Sequence, residues 1–87
     1  MFYEQISMNN VTKWLVKHVY GTVHTDYFEK YDILRVTIEK GNHFYIQTYD
    51  GFGAKIHKGI SSSTIASLIY QDYKESLIKE TLAHFIK

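Results

Sequence analysis

The stretch Ile33-Leu34-Arg35-Val36-Thr37-Ile38-Glu39-Lys40-Gly41-Asn42-His43-Phe44-Tyr45-Ile46-Gln47-Thr48-Tyr49 decides the fold class. Leu34, Val36 and Ile38 alternate with Arg35, Thr37 and Glu39, the period-two pattern of a strand with one buried face. Lys40 to His43 carries the turn and Phe44 to Tyr49 returns. A two-residue Gly41-Asn42 loop would set Val36 opposite Gln47, whereas a three-residue loop sets Ile38 opposite Ile46 or Phe44. A slip of one residue turns every side chain over, so matching apolar to apolar favours the three-residue loop.

The same reasoning at Asp50-Gly51-Phe52-Gly53 predicts a second turn and a third strand, with Ile46 opposite Ile56. The expected architecture is therefore α+β, with a three-stranded antiparallel sheet over about 33–39, 44–49 and 54–58. Its inner face would carry Leu34, Val36, Ile38, Phe44, Ile46 and Ile56. Its outer face would carry Arg35, Thr37, Glu39, Tyr45, Gln47, Tyr49, Lys55 and His57.

Upstream, Val11, Trp14, Leu15, His18 and Val19 recur at helical spacing behind Asn9-Asn10, which can cap a first turn, and Gly21 follows. A helix over about 10–20 is expected. Residues 2–8 fit a short strand or an extended lead-in, and residues 22–31 fit an edge strand or a structured loop. Downstream, Ser61-Ser62-Ser63 caps a helical region over about 62–85 whose apolar stripe changes side. Ile65, Ala66, Ile69, Tyr73 and Leu77 share one face, while Ile78, Leu82 and Phe85 fall on the other. Either the helix breaks near 74–76, the favoured reading, or a partner or second copy covers the second stripe.

At 87 residues, 45% apolar and 16% aromatic, the chain has room for one domain, residues 1–87, with a modest core. The absence of cysteine removes disulfides, thiolate nucleophiles and cysteine zinc sites together. No long apolar run and no signal-like start is present, so a cytoplasmic location is expected. A formal charge of +1 lowers the expectation of non-specific nucleic-acid binding, which requires many cations at once. Arg35 is the one arginine among ten basic residues, and isoleucine and tyrosine are frequent, as A+T-rich coding gives in low-GC bacteria and their phages.

His18, His24, His43, His57 and His84 form no HxxxH or HxH pair, so neither metal nor cofactor is expected. No G-x-S-x-G, P-loop or paired-carboxylate motif occurs, which argues against an enzyme. Ser61-Ser62-Ser63 reads first as a helix cap, with anion binding at that helix start as the functional alternative. Phe52, at the expected second turn, is a candidate contact aromatic.

The order helix, three strands, helix is similar to that of the double-stranded RNA-binding domain, whose second helix opens with a phosphate-gripping lysine cluster. Here that stretch reads Lys58-Gly59-Ile60-Ser61-Ser62-Ser63-Thr64, with one lysine, so the resemblance stops at element order. Size and element order also resemble compact phage inhibitor proteins, anti-CRISPRs among them, without a shared residue motif. The expectation drawn is a small non-enzymatic protein-binding module, an inhibitor or adaptor of phage or mobile-element origin. Arg35, Tyr45, Gln47, Tyr49, Phe52, Lys55 and His57 would meet the partner, with Ile78, Leu82 and Phe85 as a second partner or homodimer face. The alternative is a nucleic-acid binder that uses Tyr and Lys/Arg on the sheet and the helix start at 58–63.

Overall fold

The computed structural model describes the backbone of residues 2–86 and the side chains of residues 3–79. In chain order the elements are α1 (Phe2–His18), β1 (Thr22–Phe28), a 3-10 turn (Glu29–Tyr31), β2 (Ile33–Lys40), β3 (His43–Asp50), α2 (Phe52–His57) and α3 (Ser62–Ile86). The strands form one antiparallel sheet in the order β1-β2-β3. The α+β class and the helix–sheet–helix order are those expected from the sequence. The identity of the third strand, the hairpin register and the extents of two helices are not.

The third strand is β1, from the segment that fitted strand or loop; its burial alternates along its length as an edge strand's should. Residues 54–58, expected as a strand, belong mostly to α2, which ends at His57. The cause lies 21 residues upstream of Gly53: the carboxylate of Asp32 accepts the Gly53 N–H at 2.6 Å and the Ala54 N–H at 3.2 Å. Those amides open α2, so Asp32 does the work of a capping residue from a distant part of the chain. Phe52 and Ile56, four apart, then drop into the core together.

The β2–β3 register pairs Lys40 with His43, Ile38 with Tyr45 and Val36 with Gln47. The loop is therefore the two-residue Gly41-Asn42, not the three-residue loop that apolar matching favoured. Gly41 has φ of 59°, while Asn42 is not among the positive-φ residues. Glycine with positive φ at the first position is the type II′ requirement, and that turn suits the twist of the flanking strands. Turn chemistry outweighed side-chain matching, and every residue of β3 changed face.

Helix α1 begins eight residues earlier than expected. Asn9 and Asn10 lie mid-helix and exposed, and Asn9 Oδ1 accepts from Gln5 Nε2 at 3.3 Å. The penalty for asparagine in a helix interior, under about 0.7 kcal/mol each, is smaller than the gain of about 1.5–3 kcal/mol from burying Met8, which extends the stripe of Val11 and Leu15. Helix α3 runs unbroken from Ser62 to Ile86, against the expected break near 74–76. Tyr73-Lys74-Glu75-Ser76 contains no Gly or Pro to stop it, and its second stripe is left out of the core: Ile78 is 59% exposed. The side chains of Leu82 and Phe85 lie outside the described residues.

The core joins Met8, Val11, Leu15 and Val19 of α1 and its exit to Leu34, Val36 and Ile38 of β2, Tyr45 of β3, Phe52 and Ile56 of α2, and Ile65, Ala66, Ile69 and Tyr73 of α3. Full burial of each large side chain contributes about 1.5–3 kcal/mol. All three helices thus sit on one side of the sheet, and the sheet's other side is left open.

Candidate functional site: the open face of the sheet

The strand registers define rows of three side chains across the uncovered face. From one end they are Thr22–Glu39–Phe44, His24–Thr37–Ile46, Asp26–Arg35–Thr48 and Phe28–Ile33–Asp50. Phe44 and Ile46 are each 58% exposed and Phe28 is 41% exposed. Strands alternate faces, so these residues point to solvent because their neighbours Tyr45, Val36 and Leu34 point to the core.

Arg35 organises the middle of the face. Its Nη2 donates to Asp26 Oδ2 at 2.8 Å, and its guanidinium carbon lies 5.2 Å from the centroid of the Phe28 ring. Both groups of the ion pair are about half exposed, so the pair itself contributes little to stability. Its effect is on order: a long side chain held by an ion pair and a ring has less freedom to lose when a partner arrives. Three carboxylates, those of Asp26, Glu39 and Asp50, share these rows with one guanidinium, and the face is acidic with a formal charge of −2.

Of the residues expected to form the partner surface, Arg35 alone lies on this face. Tyr45, Gln47 and Tyr49 lie on the helix-covered side, a direct consequence of the two-residue loop. Tyr45 is core, edge-on to Tyr73 with ring centroids 5.6 Å apart. Its hydroxyl and that of Tyr49 share a hydrogen bond of 2.7 Å, and Tyr49 donates onward to Asp72 Oδ2 at 3.0 Å. Burial, followed by these hydroxyl and carboxylate neighbours, raises the Tyr49 phenol well above its ordinary range, and burial raises Tyr45 as well. Gln47, opposite Val36, is exposed at the margin of the covered side.

Phe52 is not a loop-tip contact residue; it is 1% exposed, edge-on to Tyr27 at 5.6 Å. Lys55 and His57 stand on α2 rather than on a strand, both exposed. His57 Nε2 lies 2.7 Å from Glu4 Oε1, which ties α2 to α1. The structure therefore brings Tyr45 and Tyr49 together, and separates them from Arg35 by the thickness of the sheet.

Sequence reasoning missed Phe28, Phe44, Ile46, His24 and Asp26 as surface residues. Apolar matching places Phe44 and Ile46 in the core through a three-residue loop that the structure does not have, and the other three lie in residues 22–31, which fit strand or loop. The Gly41-Asn42 dipeptide was the available signal for the first error.

Among the described residues no group of three or more His, Asp or Glu could hold a metal ion, and no helix is long and apolar enough to cross a membrane. No protein-family model, curated protein or solved structure matches the chain.

Proposed function

We propose that this protein is a non-enzymatic protein-binding module that engages its partner through the open face of the sheet. The observation that carries the reading is the exposure of Phe28 and Ile46, the diagonal neighbours of an ordered Arg35, and of Phe44 beyond Ile46, on a face that none of the helices covers. Solvent-facing aromatic and aliphatic side chains grouped beside a pre-ordered arginine are the composition of an interface centre.

The electrostatics favour one kind of occupant. A formal charge of −2 on this face repels phosphates and suits a protein that presents apolar side chains ringed by lysine or arginine. A face of this kind accords with an inhibitor or adaptor, which acts by occupying a partner.

The test is affinity capture from the source cell with wild type and with the double variant Phe44→Ser, Ile46→Ser, each checked by circular dichroism and melting. A specific partner with a basic patch should be captured by wild type and lost at least tenfold by the variant, with the fold unchanged. Equal recovery by the folded variant would remove the open face as the binding site. Binding of generic duplex or single-stranded probes that weakens steeply with salt would favour a nucleic-acid target instead.

A further inference from the structure

Between the outer edge of β3 and the middle of α3 lies a groove of about 480 Å³. We infer that this groove binds an extended peptide segment of a partner protein, bearing lysine or arginine, which pairs with β3 as a fourth strand. The site adds a second surface to the open face, and neither depends on the other.

The backbone of β3 is the first argument. Opposed residues in an antiparallel ladder alternate between hydrogen-bonded and non-hydrogen-bonded pairs. The Gly51 N–H donates to the Asp32 carbonyl at 2.9 Å, one step beyond the Ile33–Asp50 pair, and this sets the phase. The odd-numbered residues of β3 therefore bond to β2, while Phe44, Ile46 and Thr48 turn their N–H and C=O groups away from it. β3 is an edge strand, and no group among the described residues hydrogen-bonds to those three amides. A row of free donors and acceptors is a template for another strand. Nor is this edge blunted in the ways that usually prevent such pairing. Its register runs without a bulge through eight residue pairs, the chain has no proline, and Phe44 to Tyr49 holds no charged residue.

The walls of the groove are the second argument. Phe44, Tyr45, Ile46 and Gln47 all line it. Consecutive side chains of a strand point to opposite faces, so four in a row share a groove where it runs along the strand's edge. That stretch spans about 13 Å, enough for three or four residues of an added strand. The other wall is Asp72, Glu75, Ser76 and Lys79, one stripe of α3 at helical spacing.

Charge selects the occupant. Two carboxylates face one ammonium on the α3 wall, and Glu75 forms no ion pair with a described residue. A strand added to β3 alternates its side chains between the two faces of the sheet. On one face they meet the carboxylates of α3, and on the other they extend the exposed patch of Phe44 and Ile46. The matching segment alternates basic with apolar residues. A second copy paired through its own β3 would instead bring the same carboxylates to the same edge, which like-charge repulsion opposes.

The test is an NMR titration of the full chain, at constant ionic strength, with the end-blocked peptide Lys-Val-Lys-Val-Lys-Val-Lys and its glutamate counterpart. Saturable shifts of the Phe44, Ile46 and Thr48 amides are expected with the lysine peptide and none with the glutamate peptide. One alternate set of peptide amides must face β3. Of two lysine peptides N-methylated at the valines or at the lysines, at least one should therefore lose affinity tenfold or more. Ile46→Pro removes an outward N–H that β2 does not use, where proline is best tolerated in a sheet, and should cost at least tenfold. Ile46→Ser keeps that N–H and should stay within about fivefold of wild type. The inference is overturned if the lysine peptide gives no saturable shift, if the glutamate peptide binds as well, or if both N-methylated forms bind like the parent. A loss with Ile46→Ser equal to that with folded Ile46→Pro would also overturn it, since the contact would then belong to the open face.

Discussion

Asp32 holds three elements in register, and its removal should be costly out of proportion to its partial exposure. It occupies the left-handed region, with φ of 52° and ψ of 46°, directly before β2. Its Oδ1 accepts the Gly53 N–H at 2.6 Å and the Tyr27 hydroxyl at 2.7 Å, and its Oδ2 accepts the Ala54 N–H at 3.2 Å. Loss of a helix cap costs about 0.5–2 kcal/mol, and loss of a hydrogen bond to a charged group about 1.5–3 kcal/mol. The bonds share one carboxylate and are not additive, so Asp32→Ala should cost about 3 kcal/mol. In a domain of this size that lowers the melting temperature by roughly 12–24 °C. Asp32→Asn keeps an acceptor and the tolerance for the left-handed region, and should cost about half as much.

The charge adds a pH signature. Burial opposes ionisation of Asp32, but the Tyr27 hydroxyl and the two amides outweigh it and hold the carboxyl below its ordinary range. A depressed folded-state value means that the contribution is complete above the ordinary aspartate pKa of about 3.9 and is lost as pH falls below it. Urea unfolding followed by Trp14 fluorescence and by circular dichroism at pH 7 and pH 3 should therefore show the wild-type advantage over Asp32→Asn shrinking in acid. A cost under about 1 kcal/mol for Asp32→Ala, at the margin of ordinary surface substitutions, would refute the capping role. A wild-type advantage over Asp32→Asn that is the same at both pH values would refute the charged state.

Other expectations follow from the same packing. Gly53→Ala would set a Cβ 2.8 Å from Asp32 Oδ1 and 2.9 Å from the Tyr27 hydroxyl, so it should destabilise by about 1–3 kcal/mol. In a double-mutant cycle most of that cost should vanish in the Asp32→Ala background. Tyr45→Ala with Tyr49→Ala should unfold the chain or nearly so, since truncating one large core residue costs about 3–5 kcal/mol; a stable double variant would contradict the observed register. The phenols of Tyr27, Tyr45, Tyr49 and Tyr73 are all raised, chiefly by burial. The unfolded chain then releases protons first, and stability should fall as pH climbs past the ordinary phenol range near 10. A spectrophotometric titration that ionises these four before circular dichroism changes would count against it.

The period-two run from Leu34 to Ile38 and the stripes Val11–Leu15 and Ile65–Tyr73 were legible, because each is a local pattern that the core then used as expected. What escaped depended on groups far apart in the chain or on backbone geometry. The helix at 52–57 depends on a carboxylate at position 32, and no window around Ala54-Lys55-Ile56-His57 contains that information. The face of β3 turns on a single glycine, because Gly41-Asn42 specifies the loop and apolar matching between the strands does not. The same slip exchanges Tyr45 and Tyr49 for Phe44 and Ile46 on the open side of the sheet.

The proposed binding role is tested most directly by amide hydrogen exchange on the protein alone and with the partner recovered by wild-type capture. Protection on binding should be greatest across the middle of β3, at Phe44–Thr48, and along β1 at His24–Phe28, with the exposed surfaces of α1 and α3 unchanged. Protection confined to the helices, with β1 and β3 exchanging as in the free protein, would contradict the account.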